Sequence, residues 1–149
     1  KNFIVGDTCL FVPKGKLFHF GVMMSEMHIA WVKYVCGRLK SDFRYSNELI
    51  YNNYPFPENP TDKQIAAIEK AAQKVLDVRQ EFDGSSLSDL YDPVVMPPKL
   101  VKAHQDLDKA VDLAYRSQPF PSETKRIEFL FELYEKYTAG LFVKEKKKR

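Results

Sequence analysis

Two patterns of apolar and polar positions divide this chain of 149 residues. Up to residue 57, most apolar residues come in short runs rich in β-branched and aromatic side chains, which are typical of strands. One helix interrupts them, because apolar positions recur three and four residues apart between Ser25, a suitable N-cap, and Gly37, a suitable stop. Extended structure is predicted at residues 2–5, 8–12, 17–23 and 38–52.

Beyond residue 60 the apolar positions follow a helical period. Three long amphipathic stretches are separated by proline and glycine, and a short helical turn lies between the first two. The predicted helix starts are the capping box Thr61-Asp62-Lys63-Gln64, Ser86, Pro97-Pro98 and Ser122. We therefore predict an α+β fold, mainly α, in which a small β-containing N-terminal part precedes a three-helix bundle.

A proline-rich strap, residues 54–60, marks the predicted boundary between the two parts, because its three prolines fit neither a helix nor a central strand. Charge also changes there. Residues 1–58 hold seven Lys/Arg against five Asp/Glu, whereas residues 59–143 hold eleven against fourteen. The predicted units are 1–57, a helical domain at 58–143, and a basic tail at 144–149 with five Lys/Arg against one Glu. Phosphate binding is thus expected in the first unit.

Several kinds of chemistry have no sequence signature. Glycines are scattered rather than forming a nucleotide-binding loop, and the cysteines and histidines lack metal-ligand spacing. We therefore predict no catalytic, cofactor-binding or metal-binding residue. His28 and His104 fit core or cap positions, and Asp106, Asp108 and Asp112 fit a solvated helix face.

Composition also bounds the setting. Apolar runs fall far short of the ~20 residues that span a bilayer, and two cysteines exclude a disulfide scaffold. We expect a reduced, cytoplasmic location without membrane contact. The chain starts Lys-Asn-Phe-Ile-Val in a strand-like run, and we interpret it as a piece of a longer protein.

A run of charges follows the first predicted helix. Alternate residues of a strand share a face, so its charged residues are expected on one side. They are Arg38, Lys40, Asp42 and Arg44. Lysine donates to guanine's major-groove acceptors and aspartate accepts from cytosine's amino group, so Lys40 and Asp42 suit readout of one G·C pair. Spacing alone leaves open, and favours, a salt-bridged, solvated edge strand.

The sequence resembles one family over about residues 17 to 143. The runs that carry the resemblance are MSEMHIAWV at 24–32, GRLKSDFRYS at 37–46, YNNYPFP at 51–57, NPTDKQ at 59–64, LYDP…MPP…LVKAH…LD within 90–108, and VD…AY within 111–115. They are similar to the C-terminal part of the MmeI-like DNA methyltransferases, the large single-chain restriction–modification enzymes of types IIG and IIL.

The resemblance implies that catalysis and DNA recognition belong to different parts of the parent protein. In that family an upstream domain binds S-adenosylmethionine and methylates adenine, and some members also carry an N-terminal nuclease. Our chain would hold the end of the target-recognition domain and a helical domain, bind double-stranded DNA beside the upstream methyltransferase domain, and catalyse nothing alone. The family's base-reading side chains lie in the stretch matching Lys40 to Arg44. The expected DNA-binding residues are Lys40, Asp42, Arg44 and, for phosphates, Lys14, Lys16 and Arg38, together with Ser41 and Tyr45.

Two rivals remain at the level of sequence. One is a protein–protein docking module without DNA contact, whose surface would be an aromatic-rich N-terminal flap. The flap residues are Phe18, Phe20, Trp31 and Tyr34. The other is a stand-alone enzyme, against which the missing cofactor loop and nucleophile constellation argue. Salt-dependent DNA affinity separates the first from our prediction, and a methyl-transfer assay separates the second.

Overall fold

The computed structural model describes residues 11–36, 38–39, 42–43 and 45–145, with backbone alone at 38–39, 42–43 and 140–145. Within these ranges the chain is helical, and extended pairing is confined to two segments of two residues each. None of the described helices is long and apolar enough to cross a membrane. The elements in chain order are α1 (Leu17–Met23), α2 (Glu26–Val35), β1 (Arg38–Leu39), β2 (Asp42–Phe43), a π-helical turn (Asn47–Tyr51), α3 (Asp62–Gln80), α4 (Leu87–Leu90), α5 (Pro98–Tyr115) and α6 (Glu123–Glu145).

The prediction of an α+β fold with a β-containing N-terminal part is wrong. Residues 17–23, predicted as a strand, form helix α1, and the predicted extended stretch 38–52 holds two minimal strands and a π-helical turn. A short apolar run fits a buried helix as well as a strand, because seven residues are too few to separate the two periods. Packing decided the outcome: α1 lies across α3 and buries Gly21 and Val22. The strands predicted before residue 11 lie outside the described residues.

The predicted three-helix bundle is also wrong, although each of its helices forms. Helix α3 packs along α5, but α6 packs chiefly on α2 from the N-terminal part. A single hydrophobic core therefore draws on both sides of the strap. Its N-terminal members are Val22, Met27, Trp31, Val32, Ile50 and Tyr54, and its later members include Ile68, Val75, Leu100, Leu107, Val111 and Leu130.

The helix starts agree with the capping signals. Thr61 Oγ1 accepts from the Gln64 backbone N–H at 3.3 Å, and the Gln64 side chain accepts from the Thr61 backbone N–H at 2.9 Å. Ser86 and Asp89 repeat this reciprocal arrangement at α4. Pro98 occupies the first position of α5, where a missing N–H costs no helical hydrogen bond. Local hydrogen bonding of this kind is readable from sequence because both partners lie within four residues.

Helix α1 crosses the α3–α5 pair at Gly21. A Cβ built on this residue would lie 2.8 Å from Ile68 Cγ2, 3.2 Å from Ala72 Cβ and 3.3 Å from Leu107 Cδ1. Only hydrogen fits between the helices at this point. Gly21 thus sets how closely α1 approaches the later helices.

The prediction of a solvated aspartate face on α5 is wrong for two of its three members. Asp112 is buried and receives two hydrogen bonds from Arg126 of α6, at 3.1 and 2.7 Å. Asp108 is half-buried and accepts the Glu26 backbone N–H at 2.8 Å, at the start of α2. Only Asp106 pairs with surface lysines, Lys74 and Lys102. Partners on α2 and α6 are distant in sequence, so the aspartate spacing could not reveal them.

Candidate nucleic-acid interface

A short antiparallel hairpin follows α2. Strand β1 pairs with β2, with Arg38 opposite Phe43 and Leu39 opposite Asp42. The two strands are called the hairpin below. Because the chain reverses direction between Leu39 and Asp42, the single extended strand predicted over 38–45 does not form. The prediction of one continuous charged face depended on a single extended strand, and the pairing of Leu39 with Asp42 removes that basis.

Helix α2 gives the hairpin a rigid base. Ser25 caps it, because Ser25 Oγ accepts from the His28 backbone N–H at 3.5 Å, and the same hydroxyl donates to the Val22 carbonyl at 2.6 Å. Its buried face includes Met27 and Trp31, and the indole N–H of Trp31 donates to the Ile50 carbonyl at 3.2 Å. This bond ties α2 to the π-helical turn that follows the hairpin. The chain on either side of the hairpin is therefore fastened to the same buried side chain.

The phenol of Tyr45 fastens the exit of the hairpin. Its oxygen lies 3.1 Å from His28 Nε2, and the two rings are 5.8 Å apart. Burial lowers the pKa of His28 to about 4, and burial is also the main reason that the pKa of Tyr45 rises to about 12. Both groups are therefore uncharged near neutral pH, and an ordinary hydrogen bond joins them.

Asn53 closes the π-helical turn that comes next. Its side-chain amide donates to the Glu48 carbonyl at 2.7 Å and the Leu49 carbonyl at 3.1 Å. At the other end of the turn, Ser46 Oγ accepts from the Leu49 backbone N–H at 3.4 Å. The Asn53 side chain thus has a structural use in this turn.

Lys14 and Lys16 are exposed at the start of α1. Lys14 has a left-handed φ of 56°, within a turn closed by a 3.1 Å bond from Gly15 N–H to the Val12 carbonyl. The backbone N–H of Lys16 donates to His19 Nδ1 at 3.1 Å. Val12, at the start of this turn, and Tyr45 line one cavity of about 210 Å³. The lysine turn and the hairpin exit are therefore neighbours.

The structure thus places some of the predicted DNA-binding residues and not others. Lys14, Lys16 and Tyr45 are described with side chains, and Arg38 and Asp42 through their backbone alone. Lys40, Ser41 and Arg44 lie outside the described residues. Sequence reasoning missed the partnership of Tyr45 with His28. Its only signal was a polar residue beside Met27 on an otherwise apolar helix face.

The aromatic flap of the docking alternative is not a free surface. Trp31 is 2% exposed and packs against Phe131 and Tyr134 of α6, with ring centroids 5.4 and 5.8 Å away. Phe18 and Phe20 lie half-buried against the core, which leaves Tyr34 as the exposed member. The flap residues therefore serve mainly to join α1 and α2 to the later helices.

A second histidine–tyrosine pair lies away from the hairpin. His104 Nε2 is 2.7 Å from the Tyr91 hydroxyl, which also accepts from Arg79 Nε at 2.8 Å. Burial, followed by the positive charge of Arg79, lowers the pKa of His104. His104 is half-buried. In the part of the chain that the structure describes, no group of three or more His, Cys, Asp or Glu residues is arranged to hold a metal ion.

Comparison with known families gives two adjoining matches. The family described as MmeI, target recognition domain, matches residues 1–58, and the family described as MmeI, C-terminal domain, matches residues 60–142. Together the two profiles account for nearly the whole chain. The position where one match ends and the next begins falls within the proline-rich strap.

Two individual proteins are similar over most of the chain. DNA methyltransferase A of Bacillus subtilis (strain 168) is 42% identical over 135 residues, which are 91% of this chain and 15% of that protein. The structure of the Type IIL restriction-modification enzyme MmeI in complex with DNA aligns with a TM-score of 0.82 and 46% identity, over 86% of this chain and 17% of that one. The chain therefore spans about one-sixth of the length of these relatives.

Proposed function

Because this chain belongs to the MmeI family, we propose that it is the DNA-recognition and structural C-terminal part of a site-specific adenine DNA methyltransferase of a restriction–modification system. In this proposal residues 1–57 complete the target-recognition domain, 58–143 form the C-terminal helical domain and 144–149 are a basic tail. The upstream part of the parent enzyme supplies the S-adenosylmethionine site and the catalytic residues. We place the parent in the cytoplasm, bound to double-stranded DNA.

One observation carries the proposal: a hairpin whose sequence is rich in charged residues directly follows a helix with a buried face, within the segment that matches a target recognition domain. A base reader must be held rigidly, because a bidentate contact to a base edge tolerates little displacement. Trp31 and Tyr45 supply that rigidity on either side of the hairpin. The DNA-bound structure of the related MmeI enzyme and the name of the related methyltransferase support the same assignment.

We assign base readout to Lys40 and Asp42. The lysine ammonium donates to the O6 and N7 acceptors of guanine, and the aspartate carboxylate accepts from the N4 amino group of the paired cytosine. One G·C pair is thereby read on both of its members. Ser41, Arg44 and Tyr45, beside them in sequence, complete the proposed DNA-binding stretch.

Lys14, Lys16 and Arg38 are assigned to phosphates. Lys14 and Lys16 are exposed and lie within four residues of Val12, which lines one cavity with Tyr45, and this nearness supports the assignment. Phosphate contacts position a protein without reading sequence. Replacing Lys14 and Lys16 with alanine should therefore weaken binding to all duplexes alike and make the salt dependence of binding less steep. Lys70→Ala on the exposed side of α3 is the matched control and should change neither quantity.

The decisive experiment reverses the proposed donor and acceptor in the full-length parent enzyme. Lys40→Glu with Asp42→Arg should favour the flipped C·G pair at one position of the recognition sequence, since each good base contact is worth about 1–3 kcal/mol of discrimination. Sequencing of methylated positions in DNA treated with the double variant measures the result. An unchanged recognition sequence with activity retained would show that Lys40 and Asp42 belong to a solvated, charged edge.

A further inference from the structure

We propose that His28 is a positioning residue for DNA recognition, acting through Tyr45 to hold the exit of the hairpin in place. This inference rests on the proposed function, because it concerns how the base-reading hairpin is oriented. His28 itself is buried on α2 and faces the protein interior. Its effect on DNA would therefore pass through its hydrogen bond to the Tyr45 hydroxyl.

The two nitrogens of His28 have different surroundings. Nε2 lies 3.1 Å from the Tyr45 oxygen, whereas Nδ1 is buried and has no hydrogen-bond partner among the described residues. A buried N–H without an acceptor is rarer and more costly than an unused lone pair. The proton of the neutral ring therefore belongs on Nε2, which donates to Tyr45. The hydrogen bond thus has a fixed direction, and the tyrosine oxygen is its acceptor.

The His28 ring is itself held from the far side. Tyr54 packs edge-on against it, with ring centroids 4.5 Å apart, and the Tyr54 hydroxyl accepts from Tyr115 of α5 at 2.7 Å. Tyr54 is 5% exposed and Trp31 packs beside it at 6.2 Å. A continuous series of aromatic contacts therefore runs from α5 through Tyr54 and His28 to Tyr45. Through these contacts the C-terminal helices would set the position of the hairpin exit.

The position of Tyr45 gives this series its functional meaning. Tyr45 follows β2 by two residues, so its side chain is the first described anchor after the hairpin. Without the Nε2–H bond, the phenol keeps its ring contacts and loses the one directional bond that fixes its oxygen. The hairpin exit could then shift by a fraction of an ångström, which is enough to weaken bidentate base contacts.

The test uses the full-length parent enzyme and compares affinity for its own recognition duplex with affinity for a scrambled duplex. The recognition sequence is first read from methylated positions in genomic DNA. His28→Leu and Tyr45→Phe should each lower the ratio of the two affinities by about tenfold, the value of one well-placed hydrogen bond. In the double variant the affinity ratio should fall no further than in Tyr45→Phe alone, because both changes remove the same hydrogen bond.

Two further variants separate positioning from general stability. His28→Gln should have an affinity ratio close to that of the parent enzyme, because the glutamine amide nitrogen reaches the position of His28 Nε2 and can donate to the Tyr45 hydroxyl. His104→Leu removes a comparable bond to Tyr91 at 2.7 Å, away from the hairpin, and should lower the melting temperature without changing the ratio. If His28→Leu fails to fold, Tyr45→Phe and His28→Gln carry the test.

The outcomes are distinguishable. An unchanged ratio in His28→Leu or in Tyr45→Phe, or additive losses in the double variant, would overturn the inference while leaving the proposed function intact. A Lys40→Glu/Asp42→Arg enzyme that still methylates the original sequence would overturn the base-reading assignment and this inference with it. A lowered ratio in His28→Leu and Tyr45→Phe that His28→Gln avoids would support it.

Discussion

Asp108 and Asp112 stand one turn apart on α5 and have different environments. Asp112 is almost fully buried and meets the Arg126 guanidinium through two hydrogen bonds, so its charge is matched. Asp108 accepts a backbone N–H from Glu26, while burial, as the largest cause, raises its pKa to about 6. Identical side chains on one helix therefore have different partners, a guanidinium for Asp112 and a backbone N–H for Asp108.

The Asp112–Arg126 pair leads to a prediction about stability. Arg126→Met should lower the free energy of unfolding by about 3–5 kcal/mol, because it leaves the Asp112 carboxylate buried and unmatched. Lys125→Met on the same helix breaks the exposed pair with Glu128 and should change stability by less than about 1 kcal/mol. Urea denaturation of both variants measures the difference. Equal losses would mean that water, rather than Arg126, balances the charge of Asp112.

Asp108 leads to a prediction about pH. Its folded pKa of about 6 lies above the ordinary value of 3.8, so the folded protein holds this proton more tightly than the unfolded chain. The stabilisation is complete below about pH 4 and is lost as the pH rises through 6. Between pH 5 and 7 the ionisation of Asp108 should lower the free energy of unfolding by about 1 kcal/mol, and Asp108→Asn should abolish this decrease. The figure is smaller than the ~1.4 kcal/mol that corresponds to one pKa unit, because the group is partly solvated.

Urea denaturation of the parent and variant at pH 5 and pH 7 measures this effect. Asp106→Asn is the matched control two residues away, because the hydrogen bond from Lys102 holds the pKa of Asp106 below its usual value. Its proton is lost well below pH 5, so the control should keep the slope of the parent between the two pH values. His28 and His104 have lowered pKa values and act with the opposite sign, which is why the comparison is made between variants.

At the scale of the helices, the contact of α1 with α3 shows how a single glycine sets a helix crossing. An exposed glycine in a helix is improved by alanine, by about 1 kcal/mol. At Gly21 the added methyl would lie 2.8 Å from Cγ2 of Ile68, a fully buried, β-branched residue with few alternative rotamers. Overpacking should outweigh the gain in propensity.

Gly21→Ala should therefore lower the free energy of unfolding by about 1–3 kcal/mol. Ile68→Ala destabilises through a cavity, but it also removes the methyl that Gly21→Ala meets. The two changes together should consequently cost less than the sum of their separate costs, measured as a double-mutant cycle by urea denaturation. Full additivity would show that α1 moves aside freely.

Sequence reasoning went furthest where the deciding interactions are local. The capping box at Thr61, the Ser25 cap and the helices α2, α3, α5 and α6 follow from contacts within a few residues. Residues 17–23 were predicted as a strand because a seven-residue apolar run has no period of its own. Arg126 as the partner of Asp112 and His28 as the partner of Tyr45 depend on tertiary packing, which no spacing encodes.

At the scale of the whole molecule, the strap joins two sequence units that share one core. Tyr54 and Pro55 within the strap are buried, and the Tyr115 hydroxyl of α5 lies 2.7 Å from the Tyr54 hydroxyl and 3.0 Å from the Pro55 carbonyl. Tyr137 of α6 donates to the Phe56 carbonyl at 3.0 Å. The strap therefore lies against the helices that follow it, and the unit boundary read from composition is not a boundary in packing.

This shared core predicts the result of separating the units. Residues 1–58 and 59–149 expressed apart should each lack a cooperative thermal transition, because each would expose the apolar face that the other covers. If the full chain is instead cut by a protease at a site inserted beside Asn59, the two fragments should elute together on size-exclusion chromatography. Two sharp, independent melting transitions from the separate halves would contradict a single core.

The hydrogen bonds of Trp31 and Tyr45 on either side of the hairpin also have a practical consequence for exchanging the hairpin between related proteins. A transplant that begins after Val35 and ends before Tyr45 replaces nine residues and leaves the Trp31 and His28 bonds in the recipient. Exchange of the whole N-terminal unit up to the strap would instead bring in Trp31 and Tyr54 from another protein. These two residues would have to pack against the recipient's Tyr134 and Tyr115. Exchange of these nine residues between related proteins should therefore disturb the fold less than exchange of the whole N-terminal unit, and it would alter the target sequence if the hairpin reads bases as proposed.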